Sequence, residues 1–152
     1  MMVETKGNMR VVILTPYKRL LDLSHVTELY FPTEYGSIGV LPTHAPLVTI
    51  VGIGLVLYTQ NNVSGFFKVA GGVCEITGSS VTLLVDVGED GAQIDIDRAR
   101  RSLERARTRL AIKDGDNIHV KRAEISQAKA LARLEASELY KKNRNSQENK
   151  SV

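Results

Sequence analysis

A small β-sandwich or barrel followed by a pair of α-helices is the fold class this sequence predicts, on three observations. Eleven of the 12 glycines and all four prolines precede residue 93 of 152. Residues 1–92 carry 5 Lys+Arg against 8 Asp+Glu and residues 93–152 carry 15 against 9, so a chain of net charge +3 divides into halves of −3 and +6. Apolar residues alternate in the first half and recur every three or four positions in the second. The composition changes near Glu89–Gln93. It divides the chain into a β domain over 1–92, a helical hairpin over 93–142 and a flexible tail over 143–152.

Met9 to Leu14 reads as the first strand, with Val26 to Phe31, Gly54 to Gln60 and Phe66 to Val69 following. Asn61-Asn62-Val63-Ser64-Gly65 reads as a hairpin loop, because Asn and Gly accept positive φ. Val81, Leu83, Val85 and Val87 alternate with Thr82, Leu84 and Asp86, which puts one apolar face on a core. Short strands with turns every 8–12 residues suit a sandwich or barrel.

In the second half Ala99, Leu103, Ala106 and Leu110 form one narrow apolar stripe. Lys113-Asp114-Gly115-Asp116-Asn117 breaks that pattern. A second helix is expected from about Ile118 to Tyr140, with Ala123, Ala128, Leu131, Ala132 and Leu134 on its apolar side. Small alanines let two antiparallel helices approach closely. So thin a hairpin must lean on the β domain or on another protein. From Asn143 onward no apolar period remains.

Composition excludes several classes. With 43% apolar and 24% charged residues, wholesale disorder is disfavoured. The lone cysteine, Cys74, cannot form an internal disulfide and reads as a small buried apolar side chain. His25, His44 and His119 are too far apart for a metal-site signature. Tyr35 to Phe67 contains no charged residue, yet Pro42, Pro46, Gly52 and Gly54 interrupt it, so it fails as a membrane span. The polar start, Met1 to Arg10, lacks the apolar core of a signal peptide.

Catalytic motifs are equally scarce: there is no GxSxG, Walker A or HExxH pattern. Gly71-Gly72 follows a strand without a GxGxxG continuation and reads as a bulge or close backbone approach. A binding or regulatory part is expected rather than an enzyme. Asp95 and Asp97 open the first helix, where dipole and i,i+3 or i,i+4 pairing with Arg98 and Arg101 would each contribute about 0.2–1 kcal/mol. The functional reading of the same residues is a nucleotide site with arginines for phosphates: Arg98 and Arg105 lie two turns apart on one face, and Arg133 or Lys129 could complete it. The basic helices read by default as a solvated face. An adaptor binding RNA or acidic proteins is the alternative, and the lack of aromatics in the basic half before Tyr140 counts against nucleic acid.

Four segments carry a family resemblance. Gly36-Ser37-Ile38-Gly39-Val40-Leu41-Pro42-Thr43-His44-Ala45-Pro46 resembles the signature loop of the epsilon subunits of rotary F-type ATP synthases. Val69 to Glu75 is similar to that family's Gly-Gly strand, and Ile94-Asp95-x-x-Arg98-Ala99 and Lys121-Arg122-Ala123-Glu124 match its helical motifs. Their order spans about Met9 to Tyr140.

The resemblance implies a flattened β-sandwich, expected here as about ten short strands, followed by an antiparallel two-helix hairpin. It implies a non-catalytic subunit that binds the gamma subunit and the ring of c subunits and couples proton flow to ATP synthesis. The rotor contact would use Gly36, Ser37, Ile38, Gly39, Pro42 and His44, with Ser37 standing where some relatives have an acidic residue. In bacterial relatives the hairpin is a switch that blocks ATP hydrolysis when extended toward the catalytic beta and alpha subunits. No cofactor is required. A regulatory ATP would engage Glu89, Ile94, Asp95, Arg98, Ala99, Arg105, Lys129 and Arg133, with Lys129 in place of an expected arginine. The expected location is peripheral, on the cytoplasmic face of a bacterial membrane, with a plastid thylakoid as the lesser alternative.

Overall fold

The computed structural model describes residues 8–112 and 117–150. Seven strands come first: β1 (Met9–Leu14), β2 (Arg19–Thr33), β3 (Gly36–Val40), β4 (Leu47–Ile50), β5 (Ile53–Gln60), β6 (Val63–Thr77) and β7 (Ser80–Asp90). A 3-10 turn at Gly91–Gln93 leads into helices α1 (Ile96–Ala111) and α2 (Asn117–Lys150). The strands follow the path β1-β7-β6-β5-β2-β3, with β4 on β6, and a β1–β2 pairing closes the path on itself.

There are fewer strands than the ten expected because two of them are long. The first half of β2 pairs with β1 and its second half with β3 and β5, over 15 residues. Likewise β6 pairs with β5 through its first half and with β4 through its second. Register shifts between Met9 and Val11 and between Val26 and Glu28 bend the β1–β2–β5 part, as bulges do.

The Gly71-Gly72 pair changes which residues face inward. Before it Phe67 and Val69 point into the core; after it Cys74 and Ile76 do, so the alternation changes from odd to even positions. Gly71 (φ 74) and Gly72 (φ 127) both lie at positive φ. The opposite strand changes with them: Val81, Leu83 and Val85 are buried, but Val87 is 38% exposed, contrary to the periodic reading. The hairpin loop is also shorter than expected. Asn61 (φ 51) and Asn62 (φ 64) alone make a two-residue turn, and Val63, Ser64 and Gly65 already belong to β6.

The core consists of sandwich residues alone, among them Met9, Ile13, Leu29, Phe31, Val56, Phe67 and Leu83. Cys74 sits in it, fully buried, and burial pushes its thiol up to about 12, so it is inert. The helices pack outside this core. Ala99, Leu103 and Ala106 of α1 are buried, Leu110 only half so. On α2, Ala123 and Ala132 are buried as expected, Ala128 and Leu134 are half-buried, and Leu131 is exposed. Ala130, Ala136 and Ser137 are buried instead. The reason is that α2 lies between α1 and the β5–β6 surface and so buries two stripes, where a single stripe was inferred.

Residues 143–150, expected as a frayed tail, continue α2. Arg144 donates to Glu148 at 3.0 Å one turn on, and the Asn143 side chain donates to the Ser64 carbonyl at 3.0 Å. The turn expected at 113–117 lies outside the described residues up to position 116.

Candidate functional site

The residues expected to meet a rotor form an edge strand and the turn after it. Gly36, Ser37, Ile38 and Gly39 are in β3, paired on one side only, with Thr33 opposite Gly36 and Leu29 opposite Val40. Gly36, Ser37 and Gly39 are exposed, whereas Ile38, Pro42 and His44 are half-buried. Ser37 donates to the Phe31 carbonyl at 3.4 Å. The backbone N–H of His44 donates to Leu41 O at 3.1 Å and its ring Nδ1 lies 2.6 Å from Ala45 O, so the imidazole holds its own turn. On the outer face of β4, β6 and β7 runs an apolar row that the periodicity did not flag. Ile50 pairs with Val73 and Val73 with Leu84, and Leu84 with Leu14. Ile50 (56% exposed) and Leu84 (54%) lie open, with Val48 nearby (69%). Apolar residues clustered in this way mark an interaction face.

The second region is a cleft of about 490 Å³ between sandwich and hairpin. Glu89, Ile94, Asp95, Arg98, Ala99 and Arg133 line it together, as the nucleotide reading expected. Arg105 and Lys129 do not line it. In their place come Lys18 from the β1–β2 turn and Arg19 at the start of β2, far away in sequence and without any pattern that could have linked them to α1.

Most of the charges in the cleft are already engaged. Asp95 caps α1: its Oδ1 accepts from Arg98 N at 3.0 Å and its carbonyl from Ala99 N at 3.0 Å. Asp95 thus acts as the N-cap of α1, a backbone role that the dipole and ion-pair reading of this acid did not include. Asp90 caps the preceding 3-10 turn through Ala92 N at 2.9 Å. Arg133 donates both Nε (2.7 Å) and Nη2 (2.9 Å) to Glu89, a bidentate pair tying α2 to β7. Arg19 is held by Asp22 at 3.1 Å.

Burial works to raise the Glu89 carboxyl, but Arg133, Lys68 and Arg98 outweigh it and hold the group below its ordinary range. A lowered carboxylate contributes stability above its ordinary value of 4.5 and loses it as pH falls below. Arg133→Ala should therefore loosen α2 by about 1 kcal/mol, a value between those of exposed and buried pairs. Amide exchange along α2 at pH 7 checks this, and the difference from wild type should shrink as pH falls below 4.5 and through the lowered Glu89 value.

An open apolar face on the sandwich, with a helical pair seated outside its core, is what a subunit that docks on other proteins presents. Among the described residues no group of His, Cys, Asp and Glu could hold a metal, and no helix is long and apolar enough to cross a membrane.

The comparisons with known proteins make the assignment. Residues 8–91 match the beta-sandwich domain of the ATP synthase Delta/Epsilon chain, and residues 93–138 match its long alpha-helix domain. The chain is 40% identical over 131 residues to the ATP synthase epsilon chain of Desulforamulus reducens, covering 85% of this chain and 96% of that one. It is 41% identical over 106 residues to the epsilon chain of Desulfitobacterium hafniense (70% and 79% covered). With the chloroplastic chain of Calycanthus floridus it shares 36% over 128 residues (84% and 96% covered).

A chain of the Euglena gracilis mitochondrial ATP synthase has the same fold, at TM-score 0.75 and 19% identity over 86% of this chain and 81% of that one. A chain in the central stalk and c-ring structure of the Tetrahymena thermophila enzyme follows at TM-score 0.59 and 16% identity, over 85% and 96%. The chain belongs to the ATP synthase epsilon chain family, and by that membership is a non-catalytic subunit of the rotary ATP synthase.

Proposed function

We propose that this chain binds the gamma subunit and the c-subunit ring in the central stalk, couples proton flow to ATP synthesis there, and restrains ATP hydrolysis through its helical hairpin. The observation that carries the rotor contact is the open apolar row Ile50–Val73–Leu84 on β4, β6 and β7. A face of that kind needs a permanent partner, and a subunit that must turn with a shaft needs permanent contact. Leu84→Glu, placed on the solvent side of β7, should leave the sandwich folded and weaken its association with gamma roughly 30-fold, as losing about 2 kcal/mol at an interface anchor would. Native purification of the complex reads the outcome. Retention of the Leu84→Glu chain at wild-type level would remove this face from the interface.

The restraint on hydrolysis rests on the separateness of the hairpin. It meets the sheet through α2, whose buried side chains are the small Ala123, Ala130, Ala132, Ala136 and Ser137, and it contributes nothing to the sandwich core. Two alternative seats within a few kcal/mol are physically reasonable for so slight an attachment. When released, the +6 half is drawn to acidic surface on the catalytic beta and alpha subunits. The reading places the protein peripherally on the cytoplasmic face of a bacterial membrane.

ATP is the regulatory ligand this reading gives to the cleft. Arg98 lines it as a guanidinium, Lys18 adds a second cation, and Arg133 would have to leave Glu89 in order to join. Calorimetry of the full chain should detect ATP binding that Arg98→Ala weakens at least tenfold, the loss of one charge-assisted contact. Equal heats from both proteins would remove the site.

A further inference from the structure

Lys68 is the one buried charged side chain among the described residues that has no hydrogen-bond partner. It is 0% exposed. Because Phe67 and Val69 belong to the sandwich core, Phe66, Lys68 and Ala70 project from the other face of β6, the face on which α2 lies. Across the ladder Lys68 stands opposite Leu55 on β5 and Glu89 on β7. Glu89 is the natural partner, but both its oxygens already accept from Arg133.

The remaining charges close to it all carry its own sign. Lys129 and Arg133 of α2 face it, and Arg98 of α1 acts on the same Glu89. A buried ammonium with no acceptor is costly unless the group gives up its proton. At Gly91 the close approach is visible: a Cβ there would lie 3.1 Å from Ala136 O and 3.0 Å from Phe66 O, so the helix sits almost directly on the sheet.

We propose that Lys68 makes docking of the hairpin proton-linked: the helices settle on the sheet best over a neutral Lys68, and their release rehydrates the amine and takes up one proton. Between the docked and released midpoints the released state carries the ammonium in water, and docking returns that proton to solvent; at lower pH the amine stays charged in both states. The proposal rests on the reading that the hairpin can leave the sandwich.

Its pH window follows from the direction of the shift. Burial pushes Lys68 from 10.5 down to about 8; Glu89 opposes this, and Arg133 and Lys129 add to it. Below about pH 8 the group is charged in both states, and docking is at its weakest and independent of pH. Between 8 and 10.5 docking tightens by at most tenfold per pH unit, about 300-fold in all, and above that range it is level again.

The test is a titration of the lysine side-chain nitrogens by NMR in the full-length chain, with Lys68→Met identifying the signal. Gly91→Val, which pushes a side chain into the α2 backbone, supplies the released hairpin. Should Gly91→Val lose its strand signals, Ala136→Gln serves the same purpose. The expected result is a Lys68 midpoint near 8 in the native chain and near 10.5 in the released variant.

A midpoint near 10.5 in the native chain overturns the proposal, as does a midpoint near 8 in both, which would mean that the sheet alone sets it. The switch itself is judged separately: unchanged hydrolysis after removal of the hairpin would end that reading without moving the Lys68 midpoint.

Discussion

Deleting the residues after Asp90 should accelerate ATP hydrolysis by the assembled enzyme up to about tenfold while leaving the subunit attached. The cut is clean because β7 ends at Asp90 and every member of the sandwich core precedes it. Nothing the core needs is removed. The expected size follows from the two-seat picture: a tenfold release corresponds to about 1.4 kcal/mol of preference for the restraining seat, within reach of an attachment built mostly of alanine. Steady-state hydrolysis of the purified complex, with the subunit quantified on a gel, provides the measurement. An unchanged rate with the truncated chain present would remove the restraining role and leave the coupling role intact.

Gly72→Ala should have the largest effect on stability. A Cβ at this position would lie 2.0 Å from the Leu84 carbonyl oxygen and 2.7 Å from Val85 Cα, both backbone atoms that cannot turn aside. The φ of 127° is also one that an L side chain rarely adopts. Together these should cost about 3 kcal/mol or more, lowering the melting temperature of a domain this size by roughly 12–20 °C. Thermal unfolding followed by circular dichroism measures it. Because the Gly71-Gly72 pair sets the inward phase of both β6 and β7, a variant that folds at all should also disturb Phe67 and Cys74. A shift of less than about 4 °C would mean that the backbone there relaxes freely.

Features generated by nearby residues were legible in the sequence. The periodicity places β1 at Met9–Leu14, and β5 begins one residue earlier than expected. The acids that open α1 were readable as partners of the helix dipole, whereas the backbone cap that Asp95 supplies was not drawn from them. The rest of what escaped depends on distant partners. Val87 was placed inward because alternation was extended through Gly71-Gly72, whose effect is felt on the opposite strand. Leu131 was placed inside because α2 was given one packing partner instead of two.

Residues 143–150 lack an apolar period, and their helix is carried by polar contacts such as that of Asn143 with Ser64. The candidate site divides in the same way. Motif positions Glu89, Ile94, Asp95, Arg98, Ala99 and Arg133 do converge, whereas Lys18 and Arg19 reach the cleft from a turn and the strand start after it, some 75 residues earlier. Lys68 drew no notice because alternation sets it, between Phe67 and Val69, on the side of β6 away from the sandwich core. Only the helix laid across that side makes it a buried charge.

The central claim is that the helices act by leaving the sheet, and pinning them down tests it most directly. Ser64 and Asn143 touch across the junction, so cysteines at both positions can tie α2 to β6 by a disulfide while Cys74 stays buried and inert. Oxidation of that variant in the assembled enzyme should raise ATP hydrolysis to the rate seen without the hairpin, and reduction should bring the restraint back. A pinned enzyme that hydrolyses no faster than the reduced one would contradict the account.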